Sequence, residues 1–464
     1  MPVLSGVDRN QTQILSYDDM VDETSVVRII DRFVDVTNIN DLGFTWAGGK
    51  DIGRPAYPVS ALVKLYVYGY SNGIRSSRKL EQETHRNIEA IWLMSGLTPD
   101  HKAISEFRRI NTIPLKALFK SFVKLCRRWD LVGDEVLAFD GTKIKANNNS
   151  YKNYNRKKLE NKLRAIDEKI QRYLDEMDEQ DRVESIDRLS KNRAYYEDIM
   201  RRLNESSANQ ISTTDPDAVV MENKKGGLEP GYNVQSVVDE KYDIVVEVET
   251  TTSSVDQGLL SAMVEQVQGN SSNTAFIALA DKGYWQGADL QKVEDLGVTP
   301  IVAPQNNAPH SGQSSEYTIE KFQFDSENNE YICPCGERLV CHQVWGKQYR
   351  RYFNKSACAV CPVKAECVGR AKLGFKVINR GIYAEALERN AERVKKNREL
   401  YHRRQELVEH PFGTVKRSLG FTYFLMRTLP KVAAETSLIF LGYNIKRAVS
   451  VLGFEGVMSR LAAI

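Results

Sequence analysis

The sequence predicts a mixed α/β protein, because helical and strand-like segments alternate along its 464 residues. The first 130 residues are rich in helix signals. Further on, the short apolar runs 135–139 and 275–280 are each followed directly by an aspartate, as expected for buried strands that end in a carboxylate. A charged heptad-like segment and a cysteine-rich segment interrupt this pattern. We therefore expect a core of strands and helices that carries two insertions.

The composition excludes several classes of protein. Hydrophobic residues make up 42% and charged residues 27% of the chain, so most of it can bury a core. Lys and Arg number 64 against 61 Asp and Glu, so any nucleic-acid footprint must be local. No apolar run approaches the ~18–20 residues of a membrane span, and the first residues lack the pattern of a secretory signal. We therefore expect a cytoplasmic protein without a membrane partner.

Residues 1–130 are expected to form a helical N-terminal domain that binds DNA. Helices are predicted over Val59–Tyr70, after Ser76 and after Asp100, with an interruption at Pro114. Several short helices joined by tight turns resemble a helix-turn-helix bundle. Basic residues collect towards the end of this region: Arg108, Arg109, Lys116, Lys120, Lys124, Arg127 and Arg128. These residues would form either a surface that binds the DNA phosphate backbone or an ordinary helix face exposed to solvent.

Residues 157–209 are predicted to form a coiled-coil helical hairpin. Apolar residues recur there at alternating spacings of four and three, at Leu159, Leu163, Ile166, Ile170, Tyr173 and Met177. Acidic and basic residues are mixed on the outside, which favours a structural or oligomerising insertion over a DNA-binding stripe.

The segment 210–305 is predicted to alternate strands and helices. Tyr232–Val238 and Tyr242–Glu249 are typical of a β-hairpin. A helix over Asp256–Val267, a strand over Ala275–Ala280, a helix over Gln286–Leu296 and a short strand near Ile301 follow. Later helices are predicted over 383–410 and 430–452.

Two aspartates at the predicted strand ends are candidate metal ligands. Asp140 and Asp281 would repel each other at one edge of a sheet unless a cation lay between them. Mg²⁺ takes carboxylate oxygens as ligands, and a pair of such ions can clamp a phosphodiester. The alternative is that each aspartate is an ordinary turn or capping residue. A third carboxylate would have to come from another element, such as a helix packed on the sheet.

Several blocks of sequence resemble bacterial insertion-sequence DDE transposases. The first comprises Asp140-Gly141-Thr142-Lys143-Ile144-Lys145-Ala146-Asn147, together with Asp215-Pro216-Asp217-Ala218 and Gly231-Tyr232-Asn233-Val234-Gln235. The second is Leu279-Ala280-Asp281-Lys282-Gly283-Tyr284, and the third is Val408-Glu409-His410-Pro411-Phe412-Gly413-Thr414-Val415-Lys416. The segment from Ser76 to Arg109 is similar to the helical N-terminal domain of the same proteins, so the resemblance covers nearly the whole chain.

This resemblance implies a ribonuclease-H-like catalytic core. Its first part would comprise residues 131–156 and 210–305, and its helical C-terminal part, with the third acid, residues 376–464. A Cys-rich insertion would occupy residues 306–375. Asp140, Asp281 and Glu409 would hold two Mg²⁺ or Mn²⁺ ions. The expected partners are the terminal inverted repeats and target DNA, bound by a homodimer, at the bacterial nucleoid.

The basic residues near the third acid are implied DNA contacts. Lys416 matches the family spacing after Glu409, whereas four residues rather than three separate Arg404 from Glu409, so Arg403 or His402 are alternatives to Arg404. Glu406 is a rival for the third acid and would otherwise form a surface ion pair. The full set of expected DNA-binding residues is Lys416, Lys143, Arg404, Arg403, Arg108 and Arg109.

Six of the seven cysteines lie between residues 333 and 367. In a cytoplasmic chain such a cluster favours a structural Zn²⁺ site over disulfides. The preferred ligands are Cys333, Cys358, Cys361 and Cys367, with Cys335 as the first substitute. The alternative is that the thiols pack as small apolar side chains.

The function expected from the resemblance is metal-dependent cleavage and strand transfer of DNA at the ends of an insertion sequence. One alternative is a stand-alone metal-dependent nuclease that cuts without joining. The other is a catalytically silent DNA-binding protein derived from a transposase.

Overall fold

The structure is a computed structural model that describes residues 12, 14–45, 55–176, 179–205, 210–222, 227–305, 312–345, 349–370 and 372–464. Helices and strands are interspersed along the chain, so the protein has the predicted mixed α/β fold. It divides into two compact units. Unit 1 comprises Met1–Asp134, Asp140–Val255 and Leu407–Ile464, and unit 2 comprises Glu135–Phe139 and Asp256–Glu406. The domain boundaries predicted from the sequence stay predictions.

None of the helices that the structure describes has the length and apolar character needed to cross a membrane.

Six helices open unit 1: α1 (Val26–Val36), α2 (Val59–Ser71), α3 (Ser77–Arg86), α4 (Ile88–Leu93), α5 (His101–Ile110) and α6 (Thr112–Arg128). Ser25, Asn87 and Asp100 each accept a hydrogen bond from a backbone N–H in the first turn of the helix that follows. These bonds satisfy donors that helix starts leave unpaired. The interruption expected at Pro114 lies three residues earlier, at Asn111, which separates α5 from α6. Pro114 itself lies in the first turn of α6, where no N–H is needed.

Unit 1 also contains most of the first set of strands: β1 (Val136–Lys145), β2 (Asn153–Asn155), β3 (Gln210–Ser212), β4 (Val219–Glu222), β5 (Leu228–Asp239) and β6 (Val245–Thr251). Strand β1 starts in unit 2, and its residues from Asp140 onwards belong to unit 1. Strand β5 pairs antiparallel with both β4 and β6. The β5–β6 pair confirms the predicted hairpin.

Two long helices, α7 (Arg156–Glu176) and α8 (Glu179–Glu205), form the predicted charged segment. Leu159, Ile199 and Leu203 pack together at the base of the pair, with Tyr154 beside them. An exposed ion pair of 2.7 Å joins Arg193 of α8 to Asp167 of α7. Met177, the last residue of the predicted seam, lies outside the described residues.

Unit 2 contains a parallel strand arrangement. The first residues of β1 pair with β7 (Ile277–Ala280), and β7 pairs with β8 (Thr299–Val302). Helices α9 (Leu260–Gln268) and α10 (Gly287–Asp295) belong to the same unit. The buried Asp289 of α10 accepts hydrogen bonds from the first backbone N–H groups of α9. This carboxylate therefore fixes the start of one helix against the other.

A five-stranded antiparallel sheet occupies the cysteine-rich part of unit 2. Its strands are β9 (Gln323–Asp325), β10 (Glu330–Ile332), β11 (Arg338–Trp345), β12 (Tyr349–Phe353) and β13 (Ile378–Gly381), in the order β13-β12-β11-β10-β9. Two short helices, α11 (Lys355–Val360) and α12 (Lys364–Val368), follow β12. The core of this part is small: Phe322, Tyr331, Leu339, Tyr352 and Ile378.

The single helix predicted over 383–410 is two helices, α13 (Ala384–Lys396) and α14 (Arg398–Gly413). Asn397 breaks them apart with φ −116° and ψ 42°. A π-helical turn over Thr414–Ser418 continues α14. The last helix, α15 (Leu429–Ala462), runs past its predicted end, but Gly453 interrupts its helical geometry with φ 71°. In unit 1, α15 packs against α2, α6 and β6.

Candidate active site

Asp281 directly follows β7, as predicted, and begins a short 3₁₀ turn. Its Oδ1 accepts a hydrogen bond of 2.7 Å from the Gly283 N–H. A Cβ at Gly283 would lie 2.8 Å from Asp281 Oδ1 and 3.3 Å from Asp256 Oδ2. Two carboxylates of unit 2 therefore border this glycine, which leaves no room for a side chain.

The sequence predicts Asp256 only as the first residue of a helix. Helix α9 starts later, at Leu260, so that boundary is wrong. Asp256 and Asp281 are 25 positions apart in the chain, and no local pattern in the sequence signals that both carboxylates lie next to Gly283.

Asp140 is half-buried and lies inside β1, which continues to Lys145. The prediction that the strand ends at Asp140 is therefore wrong. What does end here is the pairing with β7, whose last register pair is Phe139 with Ala280. Each residue of that pair is followed in the chain by an aspartate, Asp140 after Phe139 and Asp281 after Ala280.

Glu409 is exposed on α14, between the buried Val408 and the buried Pro411. Glu406, its rival, is exposed as well. Pro411 does not end the helix, although its ring removes one helical hydrogen bond. The π-helical turn that follows accommodates an extra residue, as such turns do at helix irregularities.

Lys416 contacts the strand that carries Asp140. Its Nζ donates a hydrogen bond to Thr142 Oγ1, and Thr142 is buried two residues after Asp140 on β1. Further along, the Phe424 N–H donates to the Lys145 carbonyl at 2.8 Å. The segment after Glu409 therefore runs beside the second half of β1 inside unit 1. The Lys143 side chain, between these contacts, is exposed.

The two arginines before Glu409 differ in their surroundings. Arg403 is exposed, whereas Arg404 is half-buried with its guanidinium 5.8 Å from the centre of the Tyr401 ring. Tyr401 and Arg404 therefore contact each other in spite of the irregular spacing to the acid.

Many basic residues of the helical region face other protein groups. Arg108 is buried and donates to the Tyr70 hydroxyl at 3.0 Å and to the Arg75 carbonyl at 3.1 Å. Because Arg108 is buried, it is not available to DNA bound at the surface, contrary to the prediction. Arg109 is exposed, with its guanidinium paired to Glu106. Three further pairs are Lys116 with Glu249, Lys120 with Glu247 and Arg127 with Asp134.

Another acid of the C-terminal region, Glu435 on α15, is fully buried. It accepts hydrogen bonds from the N–H groups of Leu425 and Met426, at 3.0 and 2.9 Å, and lies 3.7 Å from Arg75. Arg75 also donates to the Tyr423 carbonyl. Burial raises the pKa of Glu435, and Arg108 opposes that shift. This buried network holds the loop that follows Lys416.

Among the residues that the structure describes, no three His, Cys, Asp or Glu side chains are arranged as a ready metal site. Asp140, Asp281 and Glu409 supply carboxylate oxygens, which are donors of the type that Mg²⁺ prefers.

The cysteines of unit 2 are free thiols, and five of them line one small cavity. These are Cys333, Cys335, Cys358, Cys361 and Cys367. Cys341, on β11, does not line it. Burial raises the pKa of the Cys367 thiol to about 11. The four predicted zinc ligands and the predicted substitute therefore surround the same cavity.

Comparison with known proteins identifies two regions of the chain. Residues 15–109 match the family described as a transposase domain (DUF772). Residues 332–449 match the family described as a transposase DDE domain. The second match includes Glu409 and Lys416 but neither Asp140 nor Asp281. Both families are described as transposase domains, and the matches confirm the resemblance to insertion-sequence DDE transposases.

No curated protein matches the chain. Among solved structures, a cryo-EM structure of the piggyBac transposase synaptic complex with hairpin DNA is 8% identical, with a TM-score of 0.33. The alignment covers 94% of this chain and 77% of that chain.

Proposed function

We propose that the protein cuts DNA at the terminal inverted repeats of an insertion sequence and joins the freed ends to target DNA. The two transposase matches support the general class of activity. The observation that carries the specific proposal is the register of β1 with β7. Two parallel strands pair up to Phe139 and Ala280, and an acid follows each of these residues.

The proposed catalytic acids are Asp140, Asp281 and Glu409. Parallel strands that share a register bring the residues after their last pair to the same end of the strands. We infer that Asp140 and Asp281 converge there in a ribonuclease-H-like arrangement. The contact between Lys416 and Thr142 supports the third member, because it brings the segment after Glu409 to the strand of Asp140.

The cofactor we propose is a pair of Mg²⁺ or Mn²⁺ ions, since DDE domains act with divalent metals. Asp140, Asp281 and Glu409 would hold these ions, which would supply activation of a water or 3′-hydroxyl and stabilisation of the leaving oxygen. The contribution of the chain itself is to supply the carboxylates and to orient the DNA.

The proposed DNA contacts near the reaction are Lys416, Lys143, Arg403 and Arg404. Lys143 and Arg403 are exposed, and Lys416 extends beside β1. Lysine provides a point charge for a phosphate, and arginine can bind one with two hydrogen bonds. Arg109 is the remaining candidate in the helical region. Because two element ends must be processed together, we propose a homodimer on DNA, acting at the nucleoid in the cytoplasm.

The test uses the full chain, Mg²⁺ and a supercoiled plasmid that carries the element ends. We expect nicking at the ends followed by strand joining. Asp140→Asn, Asp281→Asn and Glu409→Gln should each lower the cleavage rate by at least about 10³-fold, because each removes a charge needed in the transition state. Glu406→Gln, an exposed acid on the same helix, is the matched control and should retain cleavage.

Other outcomes identify the alternatives. Cutting without joining would favour a stand-alone nuclease. Binding to the ends without cutting would favour a silent DNA-binding protein. Cleavage that survives all three acid substitutions would overturn the site.

A further inference from the structure

A thiol-lined cavity in the cysteine-rich part of unit 2 plays no role in the proposed DNA chemistry. Its volume is about 30 Å³, enough for one small ion or one water molecule. Five of the seven cysteines of the chain line it. The sixth cysteine of the region, Cys341, packs nearby against the small core but outside the cavity.

Two of the thiols come from the turn between β10 and β11. The Gly336 N–H donates to the Cys333 carbonyl at 2.8 Å, and the Cys333 N–H donates to the Glu337 carbonyl at 2.9 Å. Gly336 has φ 84°, a conformation that favours glycine. This tight turn holds Cys333 and Cys335 close together, and the Cys335 thiol interacts with the thiols of Cys361 and Cys333.

The other three thiols come from α11 and α12. The Asn354 side chain accepts a hydrogen bond from the Ala357 N–H at 3.0 Å and donates to the Arg338 carbonyl at 2.9 Å. It therefore fixes the start of α11 against β11. Cys358 lies in α11, Cys361 is its C-cap residue, and Cys367 lies in α12.

The remaining wall is largely aromatic and aliphatic, with one notable cation. Lys376 lines the cavity, donates to the Tyr317 carbonyl at 2.9 Å and lies 5.2 Å from the centre of the Phe322 ring. The half-buried Lys376 ammonium lies beside these thiols, so it would be attracted to them if they became thiolates. Four thiolates around one Zn²⁺ carry a net charge of −2, which this lysine would partly offset.

The small core of this part gives a reason for a metal. Among the described residues its buried cluster has five members, and the cysteines are free thiols, so no disulfide ties the sheet to the helices. Small modules with little buried apolar surface commonly gain stability from a structural zinc ion.

We propose that this cavity is a structural zinc site whose ligands are the sulfurs of Cys333, Cys358, Cys361 and Cys367. Cys335 is exposed, whereas the four chosen residues are partly buried, and a structural zinc site is closed to solvent. Binding converts four thiols to thiolates, releases four protons and draws the sulfurs into a tetrahedron. The ion ties the β10–β11 turn to α11 and α12.

The first experiment measures zinc by mass spectrometry in the full chain, expressed with added zinc and purified without chelator. We expect about one zinc ion per chain. Cys361→Ser should lose most of it, and Cys341→Ser, the matched control outside the cavity, should retain it. A wild-type chain without zinc, which also fails to bind Co²⁺ through sulfur, would overturn the proposal. So would full zinc retention in Cys361→Ser.

The second experiment tests the choice of ligands without relying on the folding of variants. Alkylation of the wild-type chain followed by peptide mapping should find the four proposed ligands protected, and Cys335 reactive. Addition of a chelator should make all five reactive. Protection that does not depend on the chelator would indicate packed thiols or disulfides and would contradict a metal. Protection of Cys335 in place of Cys367 would contradict this ligand set.

Discussion

Two glutamates of unit 1, Glu435 and Glu409, lie in opposite environments. Glu435 is fully buried and accepts hydrogen bonds from two backbone N–H groups beside Arg75. Glu409 is exposed on α14, a helix that also carries Arg403 and Arg404. The first carboxylate holds a loop in place, whereas the second is the proposed third catalytic acid. Burial, rather than residue type, distinguishes the structural glutamate from the proposed catalytic one.

The largest expected effect on stability comes from Glu435→Ala. The change leaves Arg75 and two backbone donors without their acceptor in the core, so the free energy of unfolding should fall by about 3–5 kcal/mol. Urea denaturation followed by circular dichroism measures it. Glu409→Ala should change the free energy of unfolding by no more than about 0.5 kcal/mol, as is usual for an exposed site. Equal losses in the two variants would remove the distinction.

Gly283→Ala should affect activity more than stability. The new Cβ would lie 2.8 Å from Asp281 Oδ1, so the carboxylate must move. If Asp281 is catalytic, as proposed, a small displacement of its carboxylate should cost about 10–100-fold in rate. Single-turnover cleavage of end DNA measures the loss. Gly269→Ala is the control in the same unit, because its Cβ would come no nearer than 3.4 Å to its closest neighbour. Unchanged cleavage by Gly283→Ala would argue against a role for Asp281.

Much of the fold is readable from the sequence, because local patterns determine it. The β5–β6 hairpin, strand β7 with the aspartate after it, and the capped helices of the N-terminal region are examples. The five-stranded sheet was not predicted, since most of its strands are short and lack clear alternation.

The candidate site was harder to predict than the elements. The sequence predicts a strand end at Asp140 because the apolar run 135–139 stops there, yet β1 continues to Lys145. Arg108 belongs to a basic run and could not be distinguished from its exposed neighbours until packing placed it beside Tyr70. Pairings such as Lys416 with Thr142 join distant parts of the chain, and no local period encodes them.

Lys416→Ala and Lys120→Ala compare a lysine proposed to bind DNA with a lysine that pairs with a buried acid of the protein. If Lys416 binds a phosphate, its removal should weaken binding to all DNA sequences alike and reduce the slope of log affinity against log salt by about one. Fluorescence anisotropy across salt concentrations measures this. Lys120→Ala is the control, because Lys120 lies 3.4 Å from the buried Glu247. That variant should keep the salt slope and lose about 1 kcal/mol of stability. Identical slopes for wild type and Lys416→Ala would exclude the phosphate contact.

The smallest effect concerns pH. Burial raises the pKa of Glu247 above its ordinary value of 4.5, although Lys120 opposes the shift. A carboxyl with a raised pKa stabilises the fold fully below its unfolded pKa, and that contribution is lost as pH rises through the folded pKa. As pH rises from about 4.5 through the folded pKa of Glu247, the free energy of unfolding of the wild type should therefore fall relative to that of Glu247→Gln. Urea midpoints at a series of pH values test it, and parallel curves would contradict the prediction.

The widened helical turn at Thr414–Ser418 has a consequence for how this chain tolerates length changes. A regular helix rotates by about 100° per residue, so loss of one residue between Pro411 and Lys416 would let the backbone relax to ordinary winding. The same deletion would swing the Lys416 ammonium away from Thr142. A one-residue deletion could therefore leave the helix intact and still separate the Lys416 ammonium from β1. Insertions or deletions in this turn would lower DNA cleavage more than they lower the stability of the fold.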